Sequence, residues 1–307
     1  MMRVLLAALG IAALGAVAAG QQTTPQEPAF RAAIDIVSLN VTVTDGTNQF
    51  VTELDEPDFQ VFEDGIKQEI SFFSRKQQPI ALSMLLDSSA SMENSLATLQ
   101  TAAGDFVGRL RPNDIAQVID FDSRVDVRQV FTGNKADLQS AINQMVVGGA
   151  TSLHNAVYIA LKELRKVRAV TEEEIRRQAL VLFSDGEDTS SLVTFDEVLD
   201  LAKRSETSIY AISLRGPDVQ TKGFREAEYV MKTLALETGG RSFFPAKIED
   251  LAGIYSQIAD ELASQYTIGY TSKNPRRDGA WRRIDVRVTR PSVTVRAKRG
   301  YYAPTAR

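Results

Sequence analysis

The sequence predicts an α/β protein in which a doubly wound, mostly parallel sheet is inserted into a small, discontinuous all-β module that resembles a sandwich. Two observations lead to this prediction. Between residues 79 and 264, apolar runs of strand length alternate with helical patterns, which is typical of parallel sheets covered by helices. Residues 30–78 and 265–307 instead alternate apolar and polar side chains with a period of two, which predicts half-buried strands.

The two flanks are expected to pair with each other. The ends of an open α/β domain often lie close together, and such a domain tolerates insertion into another one. We therefore expect residues 30–78 and 265–307 to form one β-module around an α/β domain at 79–264. The alternative is that each flank forms a β appendage of its own.

Individual elements follow from the local patterns. The predicted strands are 36–44, 59–62, 67–73, 80–87, 115–121, 125–131, 178–184, 208–214, 241–246, 265–271, 282–290 and 292–302. The predicted helices are 92–110, 135–146, 152–167, 194–204, 224–238 and 248–264. Asp45-Gly46 ends the first strand, and Glu63–Gly65 is a good turn for a hairpin between 59–62 and 67–73.

The first twenty residues differ from the rest. They carry one positive charge at Arg3, an apolar stretch from Val4 to Val17 and small residues before Gln21. This pattern predicts a secretory signal peptide at 1–20, followed by a flexible lead-in at 21–29, and therefore a periplasmic or secreted protein. An uncleaved membrane anchor is the alternative, but the apolar stretch is shorter than the roughly 20 residues that a spanning helix needs.

Composition narrows the classes of function. The chain has 307 residues, 44% of them hydrophobic, and a formal net charge of −4, so neither a nucleic-acid binder nor a disordered protein is indicated. It contains no cysteine, which excludes disulfides, a lipidated cysteine, a thiol nucleophile and thiolate metal ligands. No stretch after the signal peptide could span a membrane, and a bacterial source fits an exported protein of this kind best.

Polar residues follow two of the most hydrophobic strands. The motif D-x-S-x-S (Asp87, Ser89 and Ser91) comes directly after strand 80–87. Thr151 follows a glycine pair at the start of a helix, and Asp185 ends the strand that begins near 178. Open α/β sheets place their sites at the carboxyl ends of their strands, so these five side chains are expected to meet.

These residues resemble the metal-ion-dependent adhesion site of von Willebrand factor A-type domains. That family's pattern is D-x-S-x-S, then a threonine loop, then an aspartate after a buried strand, and the resemblance covers about residues 79–264. The flanks, with "DFQVFEDGIKQEISFF" before and "QYTIGYT…RGYYAP" after, resemble those of bacterial exported proteins that carry such a domain. The resemblance implies the Rossmann-like fold of this family and a binding role without catalysis.

The donor chemistry agrees with a hard cation. The five side chains offer only oxygen, which favours Mg²⁺, Mn²⁺ or Ca²⁺ over zinc or copper. The resemblance implies that Ser89 and Ser91 contact the metal directly, and that Thr151, Asp87 and Asp185 do so directly or through water. A carboxylate of a protein partner would then replace one water. The alternative is structural: the aspartates cap helices and the serines complete a turn.

Three further residues lie near this motif in the sequence. His154, Glu187 and Asp188 are expected to border the partner-binding surface, the alternatives being local packing for His154 and solvated turn positions for the two acids. Ser-His-Asp catalysis would need His154, the only histidine, and no G-x-S-x-G motif accompanies it. Asp122, after another strand end, is a candidate supporting residue.

The C-terminal region is basic. From Tyr266 to Arg307 there are eleven lysine or arginine residues and two acids. This charge predicts either association with an anionic envelope surface or acidic partner, or a solvated face that protects strand edges from pairing.

The sequence therefore predicts an exported, metal-dependent module that binds an acidic residue of a protein partner. Two alternatives stay open. One is an envelope scaffold with a structural metal, and the other is a metal-assisted hydrolase with His154, Glu187 or Asp188 as its base. The resemblance also raises the hypothesis that the last helix, 248–264, transmits binding to the β-module.

Overall fold

The structure is a computed structural model that describes residues 36–167, 176–184, 187–213 and 222–305. The predicted signal peptide at 1–20 and the lead-in at 21–29 lie outside the described residues, and so does Asp185. Within the described ranges, no helix has both the length and the apolar character needed to cross a membrane.

The order of the elements follows the predicted alternation. The strands are β1 (Ile36–Asp45), β2 (Phe59–Glu63), β3 (Ile66–Gln68), β4 (Ile70–Ser74), β5 (Ile80–Asp87), β6 (Ile115–Phe121), β7 (Val125–Thr132), β8 (Arg177–Ser184), β9 (Ser208–Ser213), β10 (Ser242–Phe243), β11 (Tyr266–Thr271), β12 (Trp281–Val288), β13 (Val293–Arg296) and β14 (Gly300–Tyr302). The helices are α1 (Leu96–Gly108), α2 (Lys135–Asn143), α3 (Leu153–Leu164), α4 (Phe195–Arg204), α5 (Lys222–Thr238) and α6 (Leu251–Ser264).

Six strands form the central sheet in the order β10-β9-β8-β5-β6-β7. All neighbours are parallel except β6 and β7, so the sheet is mostly parallel with one antiparallel edge. The chain leaves β5 toward β6 on one side and later places β8 on the other side of β5. The carboxyl end of β5 is therefore the point where the winding of the sheet reverses, which is where such folds bind ligands.

Helices cover both faces of this sheet. Helices α1, α2 and α6 pack on one face, and α3, α4 and α5 pack on the other. All eight residues of β5 are buried in consequence. Burial on both faces explains why β5 and β8 are near-continuous apolar runs rather than alternating ones.

The flanks form two antiparallel sheets, β13-β1-β11-β4 and β14-β12-β2-β3, which share one apolar core. Each sheet combines strands from before and after the α/β part: β1 pairs with β11 and β13, and β2 pairs with β12. The predicted fold class is confirmed, and the alternative of two separate β appendages is wrong.

One predicted strand is divided between the two sheets. We expected 67–73 to pair with 59–62 as a single strand, but β3 ends at Gln68 and β4 belongs to the other sheet. Gln68 is buried, and its side-chain oxygen accepts a hydrogen bond from the Lys273 backbone at 3.0 Å. The chain therefore changes sheets at Glu69, where the sequence has no glycine or proline to indicate a break.

A buried carboxylate links the two sheets of the sandwich. Glu63 on β2 is 2% exposed and accepts hydrogen bonds from Tyr270 on β11 at 2.9 Å and from Tyr301 at 3.0 Å. Arg282, 3% exposed, makes an ion pair with it at 3.2 Å. Burial, together with the Glu63 charge, raises the pKa of the Tyr270 hydroxyl, which keeps it a hydrogen-bond donor.

Replacing Glu63 by glutamine should destabilise the protein strongly. The change removes one member of a buried ion pair and leaves the Arg282 charge without compensation, which costs roughly 3–5 kcal/mol. Urea unfolding measures the free energy of unfolding. The matched control is Glu53→Gln, which breaks an exposed pair with Arg290 in the same module and should leave stability unchanged. Equal effects of the two substitutions would contradict the role assigned to Glu63.

Candidate functional site

The Asp87 side chain is fixed at the end of the central strand. It has no exposed surface, and its Oδ1 accepts a hydrogen bond from the Ser89 backbone amide at 2.9 Å. Its Oδ2 accepts a hydrogen bond from the hydroxyl of Ser184, the last residue of the neighbouring strand β8. The carboxylate is thus held between the ends of two parallel strands.

Ser89 and Ser91 lie side by side just beyond Asp87. Their Oγ atoms are 3.2 Å apart, with Ser89 buried and Ser91 exposed. A 3₁₀ turn over Ala90–Met92 produces this arrangement, so α1 begins at Leu96 rather than at the predicted residue 92. The two hydroxyls therefore connect a buried position with the surface.

Ser88, which lies between Asp87 and Ser89 in the motif, points elsewhere. The Ser88 hydroxyl donates a hydrogen bond to buried Asp120 on β6, and Arg128 donates to the same carboxylate at 2.8 and 3.0 Å. Ser88 thus belongs to an ion-paired cluster beside the sheet. This agrees with the D-x-S-x-S pattern, in which the intervening residue is a spacer.

The glycine loop lies directly against the serine motif. The Gly148 amide donates to the Ser88 carbonyl at 2.8 Å, and the Ala90 amide donates to the Gly149 carbonyl at 3.1 Å. Gly149 has a φ of +47°, in the left-handed region that favours glycine. A Cβ at Gly148 would lie 2.8 Å from an Asp122 carboxylate oxygen, and one at Gly149 would lie 2.6 Å from the Ser123 hydroxyl, so the glycine pair allows this loop to approach the loop after β6.

Thr151 is held between two loops. It is 5% exposed; its amide donates to the Thr189 hydroxyl at 3.0 Å, and its carbonyl accepts from the Thr189 and Ser190 amides at 2.9 and 3.0 Å. The next residue, Ser152, donates through both its amide and its hydroxyl to the Asp122 carbonyl at 2.7 Å. Asp122 thus supports the threonine loop through its backbone.

His154 and Asp188 contact each other at the start of α3. The His154 Nδ1 lies 3.5 Å from Asp188 Oδ2, and the His154 amide donates to Asp188 Oδ1 at 3.3 Å. The Ser191 hydroxyl also donates to Asp188, at 2.6 Å. Since Ser191 bonds to the aspartate and not to the imidazole, this is not the order of a Ser-His-Asp triad.

The two acids after β8 differ from each other. Asp188 has a side chain that is 19% exposed and accepts hydrogen bonds from the His154 amide and the Ser191 hydroxyl. Glu187 is exposed, as expected for a solvated turn residue. The ring of His154 also contacts Phe195 at 6.0 Å between centroids, which is the local packing considered for it.

The structure brings four of the five predicted residues to one edge of the sheet. Asp87 ends β5, and Ser89, Ser91 and Thr151 follow on two segments that are hydrogen-bonded to each other. Asp185 follows Ser184 and lies outside the described residues. Within the described ranges, histidine, aspartate and glutamate form no group of three or more that could hold a metal ion. The arrangement is instead rich in hydroxyl groups.

Several supporting residues were not found from the sequence. Ser184 bonds to Asp87, and Asn155 Oδ1 accepts from the Leu192 and Val193 amides, both at 3.1 Å, which fixes the loop after β8. Ser184 could have been recognised as the polar end of a hydrophobic strand beside Asp185. Asn155 carries no such signal because its partner loop lies more than thirty residues away in the sequence.

Comparisons with known proteins identify the α/β part. Residues 82–187 match the family profile of the von Willebrand factor type A domain. A von Willebrand factor type A structure from Catenulispora acidiphila is similar at 9% identity and a TM-score of 0.51, over 90% of this chain and 76% of that one.

Two bacterial pilus proteins are also similar in structure. The von Willebrand factor domain of the type V pili tip protein Mfa5 from Porphyromonas gingivalis has 14% identity and a TM-score of 0.50, over 60% of this chain and 95% of that one. The PilB minor pilin of Streptococcus sanguinis, as a D319A mutant, has 12% identity and a TM-score of 0.50, over 62% of each chain.

These likenesses concern the fold. No protein of curated function matches the sequence. The matched profile covers residues 82–187, and the structural similarities show that the α/β part has the fold of von Willebrand factor type A domains.

Substitution of Gly149 by alanine should disturb the loop that carries Thr151. A Cβ at this position would lie 2.6 Å from the Ser123 hydroxyl and 3.0 Å from the Ser123 amide, and the positive φ adds strain. We expect a loss of roughly 1–3 kcal/mol in the free energy of unfolding. The matched control is Gly108→Ala, where a Cβ meets nothing within 4 Å; stability should stay the same or rise. A stable Gly149→Ala protein would refute the need for close approach.

Proposed function

We propose that the von Willebrand factor type A domain of this chain binds a protein partner through a divalent cation held by Asp87, Ser89, Ser91, Thr151 and Asp185. The cation is Mg²⁺ or, with the same ligands, Mn²⁺ or Ca²⁺. The observation that carries the proposal is the convergence of four of these residues on the switch point of the sheet, on loops that bond to one another.

The donor geometry fits a small hard cation. The Ser89 and Ser91 hydroxyl oxygens are 3.2 Å apart. Neighbouring ligands in an octahedral Mg²⁺ shell, with metal–oxygen distances of about 2.1 Å, lie about 3 Å apart. The two hydroxyls can therefore serve as adjacent ligands of a cation with little movement.

Each residue has a distinct task in this proposal. Asp87 supplies negative charge from a buried, hydrogen-bonded position. Ser89, which is buried, and Ser91, which is exposed, supply neutral oxygen atoms between that position and the surface. The bound cation supplies a site for an anionic ligand at the surface. A carboxylate of the partner is the group that this arrangement attracts, because few of the chain's own ligands carry charge.

The rim around the cation would contact the rest of the partner. Val146 is 69% exposed and Leu192 is 93% exposed, and both lie on the loops that adjoin Thr151. Glu187 is exposed on the same rim, and His154 is 14% exposed. Large exposed apolar side chains beside a polar site support a protein partner.

Binding is proposed rather than catalysis. A metal-assisted hydrolase would need His154, Glu187 or Asp188 as a general base. The His154 side chain lies beside Asp188. Asp188 also accepts hydrogen bonds from the His154 backbone amide and from the Ser191 hydroxyl. These bonds support a role in shaping the rim. An exported location, periplasmic or secreted, is part of the same proposal and rests on residues 1–20.

Titration calorimetry with Mg²⁺ tests the metal. We expect saturable binding to the chelator-treated protein and an increase in thermal stability, worth about 2.7 kcal/mol at a hundredfold excess over Kd. Asp87→Asn should abolish both effects. Asp114→Asn is the matched control, because Asp114 is also buried (3% exposed) but bonds to Ile80 at the opposite end of β5. Equal loss in the two variants would contradict the assigned ligands.

Capture of envelope and secreted proteins on the immobilised chain tests the partner. Capture should occur in Mg²⁺, fail in EDTA, and fail for both Asp87→Asn and Asp185→Ala. If EDTA lowers the melting temperature but leaves capture intact in the folded protein, the metal is structural and the chain is a scaffold. Capture that survives both chelation and Asp87→Asn would refute the proposal.

A further inference from the structure

A second concave surface lies far from the candidate cation site. It is a groove of about 610 Å³ bounded by the last turns of α4 and α5 and by strands β12 and β13, with Trp281 in its wall. Helix α4 ends at Arg204, four residues before β9 begins, so this groove adjoins the amino ends of the central strands. The candidate cation site lies beyond their carboxyl ends, at the opposite edge of the sheet.

The groove is lined by an excess of positive charge. Its cationic side chains are Lys203, Arg283, Arg296, Lys298 and Arg299. Its acids are Glu237 and Asp285, and each already has a partner: Glu237 pairs with Lys203 at 3.3 Å, and Asp285 pairs with Arg287 at 2.8 Å.

Three of the five cations form no close ion pair with a described residue. Arg296 pairs with buried Glu261 and donates to the Gly239 carbonyl at 3.2 Å. The side chains of Arg283, Lys298 and Arg299 form no hydrogen bond or ion pair with any residue in the described part of the chain. Three like charges gathered in one concavity repel one another and favour an anionic ligand.

Lys298 is the least solvated of the three. It is only partly exposed, and burial lowers the pKa of its ammonium group although the charge of Glu206 acts in the opposite direction. A partly desolvated ammonium without a hydrogen-bond acceptor is unfavourable, and an anion beside it would relieve that cost.

The groove contains apolar side chains and adjoins strand edges. Val286 and Val295 are half-buried in it, Leu236 is 45% exposed, and Ile284, 6% exposed, belongs to the core of the sandwich. Strand β13 is an end strand of its sheet, and β14 pairs with β12 only over residues 281–283. The groove therefore lies beside two strand edges.

We propose that this groove binds an extended acidic segment of a protein partner. Acidic side chains of the segment would contact Arg283, Lys298 and Arg299, and its apolar side chains would pack on exposed Leu236 and on the half-buried Val286 and Val295. The charge complementarity favours an acidic ligand, and a concave surface that contains apolar side chains favours a peptide over a flat anionic membrane. The site is separate from the proposed cation site and does not require a metal.

Trp281 makes the proposal directly measurable. It is the only tryptophan of the chain and lines the groove, where the Lys203 ammonium lies 4.8 Å from its ring centroid. The probe is a short synthetic peptide in which glutamate and leucine alternate, added to the full chain in EDTA. We expect a saturable change in tryptophan fluorescence that weakens with salt, and no change with the glutamine-for-glutamate peptide.

Matched charge variants complete the test. The triple variant Arg283→Gln, Lys298→Gln, Arg299→Gln should weaken the peptide by about tenfold or more, since three charge contacts are lost. The control triple Lys67→Gln, Arg109→Gln, Arg165→Gln removes the same charge from exposed positions outside the groove and should bind normally.

Four results would overturn the proposal. They are equal weakening by the two triple variants, an equal response to the glutamine peptide, a response to anionic phospholipid vesicles but not to the peptide, and full displacement of the peptide by millimolar phosphate. The last two would assign the groove to a membrane or to a small free anion. Because all titrations contain EDTA, failure here leaves the proposed cation site untouched.

Discussion

The burial of the Asp87 carboxylate at the end of β5 is the constraint on which the candidate site depends. Its neighbours in the sheet are apolar on both faces. The charge of Asp87 is therefore tolerated only where backbone amides and hydroxyl groups donate hydrogen bonds to it. The Ser89 amide and the Ser184 hydroxyl supply part of this compensation. The close approach of the glycine loop, and the bonds that join it to the loop after β8, build the rest of the edge around that one carboxylate.

The sequence predicted this edge well because its signals are local. A strand buried on both faces must be an apolar run, and polar residues at its end must lie at the edge of the sheet, so position drew attention to Asp87 and its serines. Thr151, Asp185 and the resemblance to von Willebrand factor A-type domains were needed to define the candidate site. The change of sheets at Glu69 and the contacts of Ser184 and Asn155 were missed. They depend on partners that are distant in sequence, and neither periodicity nor turn residues report such partners.

In the basic C-terminal region, the sequence likewise could not predict which charged side chains have a partner. Arg282, Arg283 and Arg296 are alike in the sequence, yet they meet different environments because alternate strand residues face different layers. Arg282 compensates buried Glu63 and Arg296 compensates buried Glu261, whereas Arg283 faces the groove. Composition predicted the excess of positive charge. Only the packing shows which arginines compensate buried acids and which arginine faces the groove.

Glu261 also connects the two parts of the fold, since it lies on α6 and bonds to Tyr210 of the central sheet and Thr42 of the sandwich. The proposed function, however, depends on a cation bound at Asp87. Anomalous diffraction from crystals grown in Mn²⁺ tests it most directly. We predict one strong peak within coordination distance of the Ser89 and Ser91 hydroxyls. A peak only at other positions, or none at saturating Mn²⁺, would contradict the account.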